Sequence, residues 1–248
     1  MKKEDVLPLL KLPPKEAIAY LENKGYKITF AWDALSQKAH QTAFTVAGVM
    51  KMEMLKILRD FTQKSLAKGI TFEEFRNGIQ NRLAEAGFSS TFIAKDKAGN
   101  KKTVSLTPSR LQTIFRTNVQ SAYNAGRLKG QQAVAEKSTV PMFYLYNATI
   151  DKRTRPEHKK LDGLCLPVSD PIWKSIYPPN GYNCRCSVSM ISEEQAKQFG
   201  ITIAKKAPAS VDISDTFKGQ PSDNFAPDVS GYDADLQAQF QREQAGKK

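Results

Sequence analysis

The spacing of apolar residues in this 248-residue chain changes once, at Pro141, and that change sets the fold class. Before it, apolar side chains recur every three or four residues, as in helices that bury one stripe. After it come a short aromatic run and an alternating one, separated by a proline-rich stretch, as in strands joined by irregular loops. The expected fold is α+β. It has a helical N-terminal half, a long central helix, a small β-containing C-terminal unit with a His/Cys loop, and an extended C-terminal tail. Three segments are expected: 1–92, helical; 105–195, the core; 205–248, an extended or disordered tail with a weak helix near Ala234–Glu243.

Local signals place the elements. Pro13-Pro14 followed by Lys15 to Leu21 reads as a helix start with proline in the first turn, and Gly25 as its stop. Ile28, Phe30 and Trp32 alternate over too few residues to define a strand. A long helix is predicted from Ala39 to Ala67, with Val46, Met50, Met54, Ile57, Leu58 and Phe61 as its core-facing stripe. Thr71-Phe72-Glu73-Glu74 is a capping box that opens the next helix, with Phe72, Phe75, Ile79 and Leu83 inward. Residues 94–106 read as a loop or hairpin tip. Thr107-Pro108 starts the central helix, with Thr as the cap. Met142 to Thr149 reads as a strand, Asp151 to Pro156 as a turn, Glu157 to Leu161 as one helical turn. Residues 167–179 are expected to be irregular, and Cys184 to Ile191 to return as a strand.

Apolar residues make up 40% of the chain, enough for a real core. No window approaches 18 consecutive apolar residues, so no membrane-spanning helix is predicted. Prolines and charges interrupt the N-terminus, so no secretory signal is expected. Three cysteines cannot form a disulfide framework and fit a reducing compartment. The net charge of +12 favours polyanionic partners. Between Ile93 and Gly130, eight basic residues face only Asp96, so the charge is concentrated there. On the central helix Leu111, Phe115, Val119, Ala122 and Gly126 line one face. Arg116, Gln120, Asn124 and Arg127 line another and offer donors and acceptors to solvent, another helix, a backbone, a phosphate or a neighbouring subunit. Lys101, Lys102, Arg110, Arg116, Asn118, Gln120, Asn124 and Arg127 are the candidate contacts to nucleic acid or a partner.

The chemistry-bearing residues lie between Asp151 and Cys186. All three cysteines and one of the two histidines are there. Zinc takes about four thiolate or imidazole ligands in a tetrahedron. Cys184-Arg185-Cys186 on an extended segment points both sulfurs one way, and His158 and Cys165 are the candidates to complete a structural zinc site of three cysteines and one histidine. The alternative is a pair of small buried thiols, with His158 hydrogen-bonded to a turn. Asp151, Arg153 and Asp162 are expected to brace the loop. His40, in the helical N-terminal block, reads as an ordinary core or surface histidine. P-loop, G-x-S-x-G, H-E-x-x-H and G-x-G-x-x-G motifs are absent, so no enzyme template fits.

Three stretches together resemble one family. They are Pro14 to Leu21 with Lys24-Gly25, Trp32 and Ala43 to Ala47; Leu106 to Leu111 leading into Phe115 to Arg127; and Asp151-x-Arg-Thr-x-Pro-x-His158, Leu161-Asp-Gly and Pro178-Pro-x-Gly-x-x-Cys-Arg-Cys186. They resemble the minor head proteins of tailed phages and prophages, the phage Mu F-like head morphogenesis family. One position departs: Arg155 stands where the family often carries a cysteine, which leaves Cys165 to take its place. The resemblance implies a non-enzymatic virion component, assembled in the host cytoplasm beside portal and capsid proteins, with double-stranded DNA as a further partner. The competing reading is a metal-dependent nuclease or toxin-like domain built on the His158/Cys184/Cys186 loop.

Overall fold

In the computed structural model, residues 15–26, 43–49, 51–95, 98–208, 211 and 238 are described. The fold is α+β, as expected. The His40 reading, the Ile28–Trp32 alternation and the weak helix near Ala234–Glu243 (Ala238 apart) fall outside these residues.

Helix α1 (Lys15–Asn23) is followed by strand β1 (Gly25–Tyr26), which pairs in parallel with β2 (Ala43–Phe44). The helix expected over Ala39–Ala67 is therefore replaced by a strand at Ala43–Phe44. Gly48 turns the chain at φ 77°, a left-handed conformation that glycine adopts without steric cost, and α2 begins only at Met52 and runs to Lys68. Its buried face holds Met54, Ile57 and Leu58 of the stripe read from the spacing, and also Leu55, which that stripe did not include. Helix α3 (Phe72–Glu85) opens on the expected capping box. The Thr71 hydroxyl accepts from the Glu74 N–H, and the Glu74 carboxylate accepts from the Thr71 N–H at 2.7 Å. Phe75, Ile79 and Leu83 are inward.

Residues 94–106 belong to an antiparallel hairpin, β3 (Thr91–Lys95) with β4 (Lys101–Ser105). Helix α4 (Pro108–Lys137) then runs for 30 residues from its Thr107 cap. Its first half packs into the core formed by α1, α2 and α3, through Leu111, Ile114 and Ala122. Its second half enters another core through Leu128. The central helix thus joins two cores.

The second core rests on a three-stranded antiparallel sheet in the order β6 (Cys165–Pro167), β5 (Met142–Asn147), β7 (Ser187–Ser192). Helix α5 (Pro156–Lys160) is the single turn expected there, and Gly163 follows it. The proline-rich stretch expected to be irregular begins at the last residue of β6 and holds helix α6 (Trp173–Ile176). Helix α7 (Glu193–Gln198) opens on a second capping box, Ser192 with Gln195. Trp173 meets Tyr144 edge-on at 5.4 Å and donates its indole N–H to the Pro167 carbonyl at 3.0 Å. Ala204, Ala207 and Val211 also pack on this core, so the chain stays attached past the start of the expected tail.

Candidate metal centre

Alternation along the sheet decides which cysteines can meet. Side chains of successive strand residues point to opposite faces. Tyr144, Tyr146, Leu166 and Val188 lie on the face that builds the second core, together with Cys184 and Cys186 just ahead of β7. Leu145 pairs with Cys165, and both belong with Phe143 and Ile191 to a cluster on the other face. Cys165, expected as the fourth ligand, is therefore separated from the site by the sheet itself.

The other three expected ligands converge. Nδ1 of His158 lies 3.5 Å from Sγ of Cys186 and 3.8 Å from Sγ of Cys184, and the three ligand atoms are all within 4.8 Å of one another. All three residues are at most 5% exposed. A tetrahedral zinc with Zn–S of about 2.3 Å and Zn–N of about 2.0 Å places a sulfur and a nitrogen about 3.5 Å apart. The observed 3.5 and 3.8 Å lie close to that value, so the donor set fits zinc in size as well as in chemistry. The other ring nitrogen, Nε2, faces the Asn180 carbonyl at 3.3 Å. An Nε2–H donated there leaves the Nδ1 lone pair directed at the thiols, the outer-shell arrangement that orients metal-bound histidines. Asn180 in turn donates to the Ile176 carbonyl at 2.7 Å and to the Tyr146 hydroxyl at 2.9 Å.

The thiols are not equivalent. The Cys184 thiol, which donates to Cys186, is the main influence holding Cys186 far below an ordinary thiol, assisted by His158 and Tyr146. That same hydrogen bond, with burial, holds the proton on Cys184. Burial, then the neighbouring Cys186, pushes the Tyr146 phenol up. One sulfur is thus already poised as the thiolate that a metal requires.

Asp151 and Asp162, two of the expected bracing residues, hold the loop through their side chains and Arg153 only through its backbone, with a partner the spacing did not reveal. Asp151 forms a two-point pair with Arg185, both contacts 2.6 Å, and accepts from the Arg153 N–H at 2.8 Å. Chiefly through Arg185, its carboxyl lies below the usual carboxylate range. Thr154 donates to the Thr149 carbonyl and to Asp151. Asp162 accepts from the Ala148 N–H at 2.7 Å. The middle residue of C-R-C points away from the sulfurs, and that parity is the signal that could have paired Arg185 with the Asp151 turn. Arg155 donates to the Tyr182 carbonyl at 3.0 Å. It lies so close over Gly181 that a Cβ there would meet the guanidinium at 2.9 Å.

Several expected partner contacts are instead turned inward. Gln120 and Asn124 donate to the Cys186 carbonyl at 3.1 and 3.4 Å, and Gln131 donates to the Val188 carbonyl at 2.9 Å. Asn118 donates to the Ile114 carbonyl of its own helix, and Arg110 to the Ala47 carbonyl. The polar row of α4 binds backbone, but the backbone is this chain's own. Lys101, Arg116 and Arg127 are exposed and Lys102 partly so.

Fold and site define an α+β protein in which a buried cluster of one histidine and two cysteines is pinned to a long helix. The family model described as Phage Mu protein F like protein matches residues 56–189, more than half of the chain, and the chain belongs to that family. It is 38% identical over 201 residues to a protein of Escherichia phage Mu named for capsid assembly and designated F, covering 81% of this chain and 45% of that protein. It is 36% identical over 177 residues to the Mu-like prophage FluMu F protein of Haemophilus influenzae, covering 71% of this chain and 41% of that one. It is 26% identical over 162 residues to an uncharacterised protein of Methanocaldococcus jannaschii, covering 65% and 21%. The chain thus spans less than half the length of these relatives. No solved structure matches it.

Proposed function

We propose that this chain is a minor structural protein of a tailed-phage or prophage head, a virion component that acts in head morphogenesis beside the portal and capsid proteins. The observation that carries the reading is where α4 spends its polar row. Gln120, Asn124 and Gln131 join the helix to the backbone of Cys186 and Val188. A unit so tied presents a fixed surface to neighbours, which suits an assembly part. Relatives named for capsid assembly and for a Mu-like prophage lend the same support. A structural zinc on His158, Cys184 and Cys186 locks the turn to the segment entering β7. Lys101, Lys102, Arg116 and Arg127 contact packaged duplex DNA through phosphate charge, with an affinity that falls steeply with salt.

The test is crosslinking of assembled heads, followed by identification of this chain and its neighbours. Crosslinks to portal or capsid subunits are expected. Consistent absence from heads overturns the reading. So does cleavage of plasmid DNA by the purified chain that is lost in His158→Ala, which is the outcome the nuclease alternative predicts.

A further inference from the structure

With Cys165 on the far face of the sheet, the cluster supplies three ligands, and a tetrahedral zinc needs a fourth. The two sides of the ligand triangle differ. Tyr146 and Asn180 fill the buried side and are hydrogen-bonded to each other. On the other side His158, Cys184 and Cys186 line a small recess, open to solvent, together with Arg153, Arg155 and Arg185. These arginines are not equally committed. Arg185 is neutralised by Asp151, and Arg155 gives one N–H to the Tyr182 carbonyl. Arg153 is exposed, and its guanidinium has no bond among the described residues. Two thiolates and a neutral imidazole balance the charge of a bound zinc, so the preference of the recess for an anion comes from its guanidinium groups.

We propose that zinc on His158, Cys184 and Cys186 keeps its fourth position open to this recess, and that a phosphate oxygen completes the tetrahedron while Arg153 and Arg155 hold the remaining oxygens. A phosphate has oxygens enough to reach the metal and two guanidinium groups at once, whereas a carboxylate has two in all. The site is then an anion receptor as well as a staple. The inference rests on the zinc reading above and is independent of the assembly role.

The experiment uses the full chain loaded with Co²⁺ in place of zinc, whose visible absorption reports thiolate ligation and coordination geometry, titrated with inorganic phosphate and, separately, acetate. The expected result is one bound Co²⁺ with thiolate bands and a saturable phosphate-dependent change in the visible bands. Apparent phosphate affinity should weaken about tenfold in Arg153→Gln, the scale of one charge-assisted bond, and stay unchanged in Lys129→Gln at a remote exposed position. Failure to bind Co²⁺ or zinc overturns the zinc reading and this inference with it. Bound Co²⁺ that is indifferent to phosphate, or a phosphate affinity unaltered by Arg153→Gln, overturns the open position alone. An equal response to acetate overturns the assignment of phosphate.

Discussion

The core around α2 and α3 is closed by apolar side chains such as Leu55, Leu58, Phe75 and Ile79, each fully buried, with a capping box at the start of α3. The unit around β5 and β7 buries tyrosines, thiols, an imidazole and an amide, and almost every one of them is tied to a particular partner. The difference is one of directionality. Apolar burial depends on area and tolerates repacking, whereas a buried polar group left unpaired costs its desolvation in full. The first region should therefore fail gradually under substitution and the second abruptly.

The largest expected effect breaks the second region alone. Cys186→Ser, or chelation of the parent chain, should abolish zinc binding and collapse the packing around Trp173, because metal affinity at such a site is folding energy. Metal analysis with near-ultraviolet circular dichroism reads both, while the helical signal of α2 and α3 should persist. A parent without zinc, or a variant that keeps it, would erase the contrast.

Leu58→Ala, in the first region, should cost about 2–5 kcal/mol in urea unfolding without changing bound metal. A comparable effect comes from Lys24. Burial, and then the neighbouring Arg59, brings its ammonium down to about 8. Between that value and the roughly 10.4 of a free lysine, the unfolded chain holds a proton that the folded chain has released, so this group makes stability rise with pH through the window. Between about pH 8 and about pH 10 the rise amounts to about 2 kcal/mol and should disappear in Lys24→Met, measured by urea unfolding of both proteins at those two pH values. A smaller effect is expected where the regions meet. Asn124→Ala removes a buried donor to the Cys186 carbonyl and should cost about 1–3 kcal/mol. A faster zinc release in this variant would show that α4 steadies the metal loop, and an unchanged rate would confine its role to packing.

Legibility follows the same division. The Thr71–Glu74 box, the Thr107-Pro108 start and the Ser192–Gln195 box act within one turn, so neighbours in sequence are neighbours in space. The first two were readable in advance, and the third, Ser-Glu-Glu-Gln, carried the same signal unread. The helix expected from Ala39 failed because Gly48 and the pairing of Ala43–Phe44 with Gly25–Tyr26 override a periodic pattern that continues through them. At the candidate site, the common direction of Cys184 and Cys186 was legible from parity, and so was the candidacy of His158. Asn180 and Tyr146 carried no signal, since nothing local marks a residue that orients another residue's ring.

What the amino-acid order determined by itself is the class of the fold, the capped helices, the basic span and the short stretch in which all three cysteines and the chemically placed histidine reside. What the tertiary structure alone decided is which of those groups meet. Cys165 lies one position from Leu166 yet is lost to the site, because a sheet divides space by the parity of its residues. The polar row of α4 left several partners open, and only the docking of the segment entering β7 against it turned Gln120 and Asn124 onto this same chain. Periodicity is a property of a segment, whereas a partner is a property of two segments, and only folding brings the second one within reach.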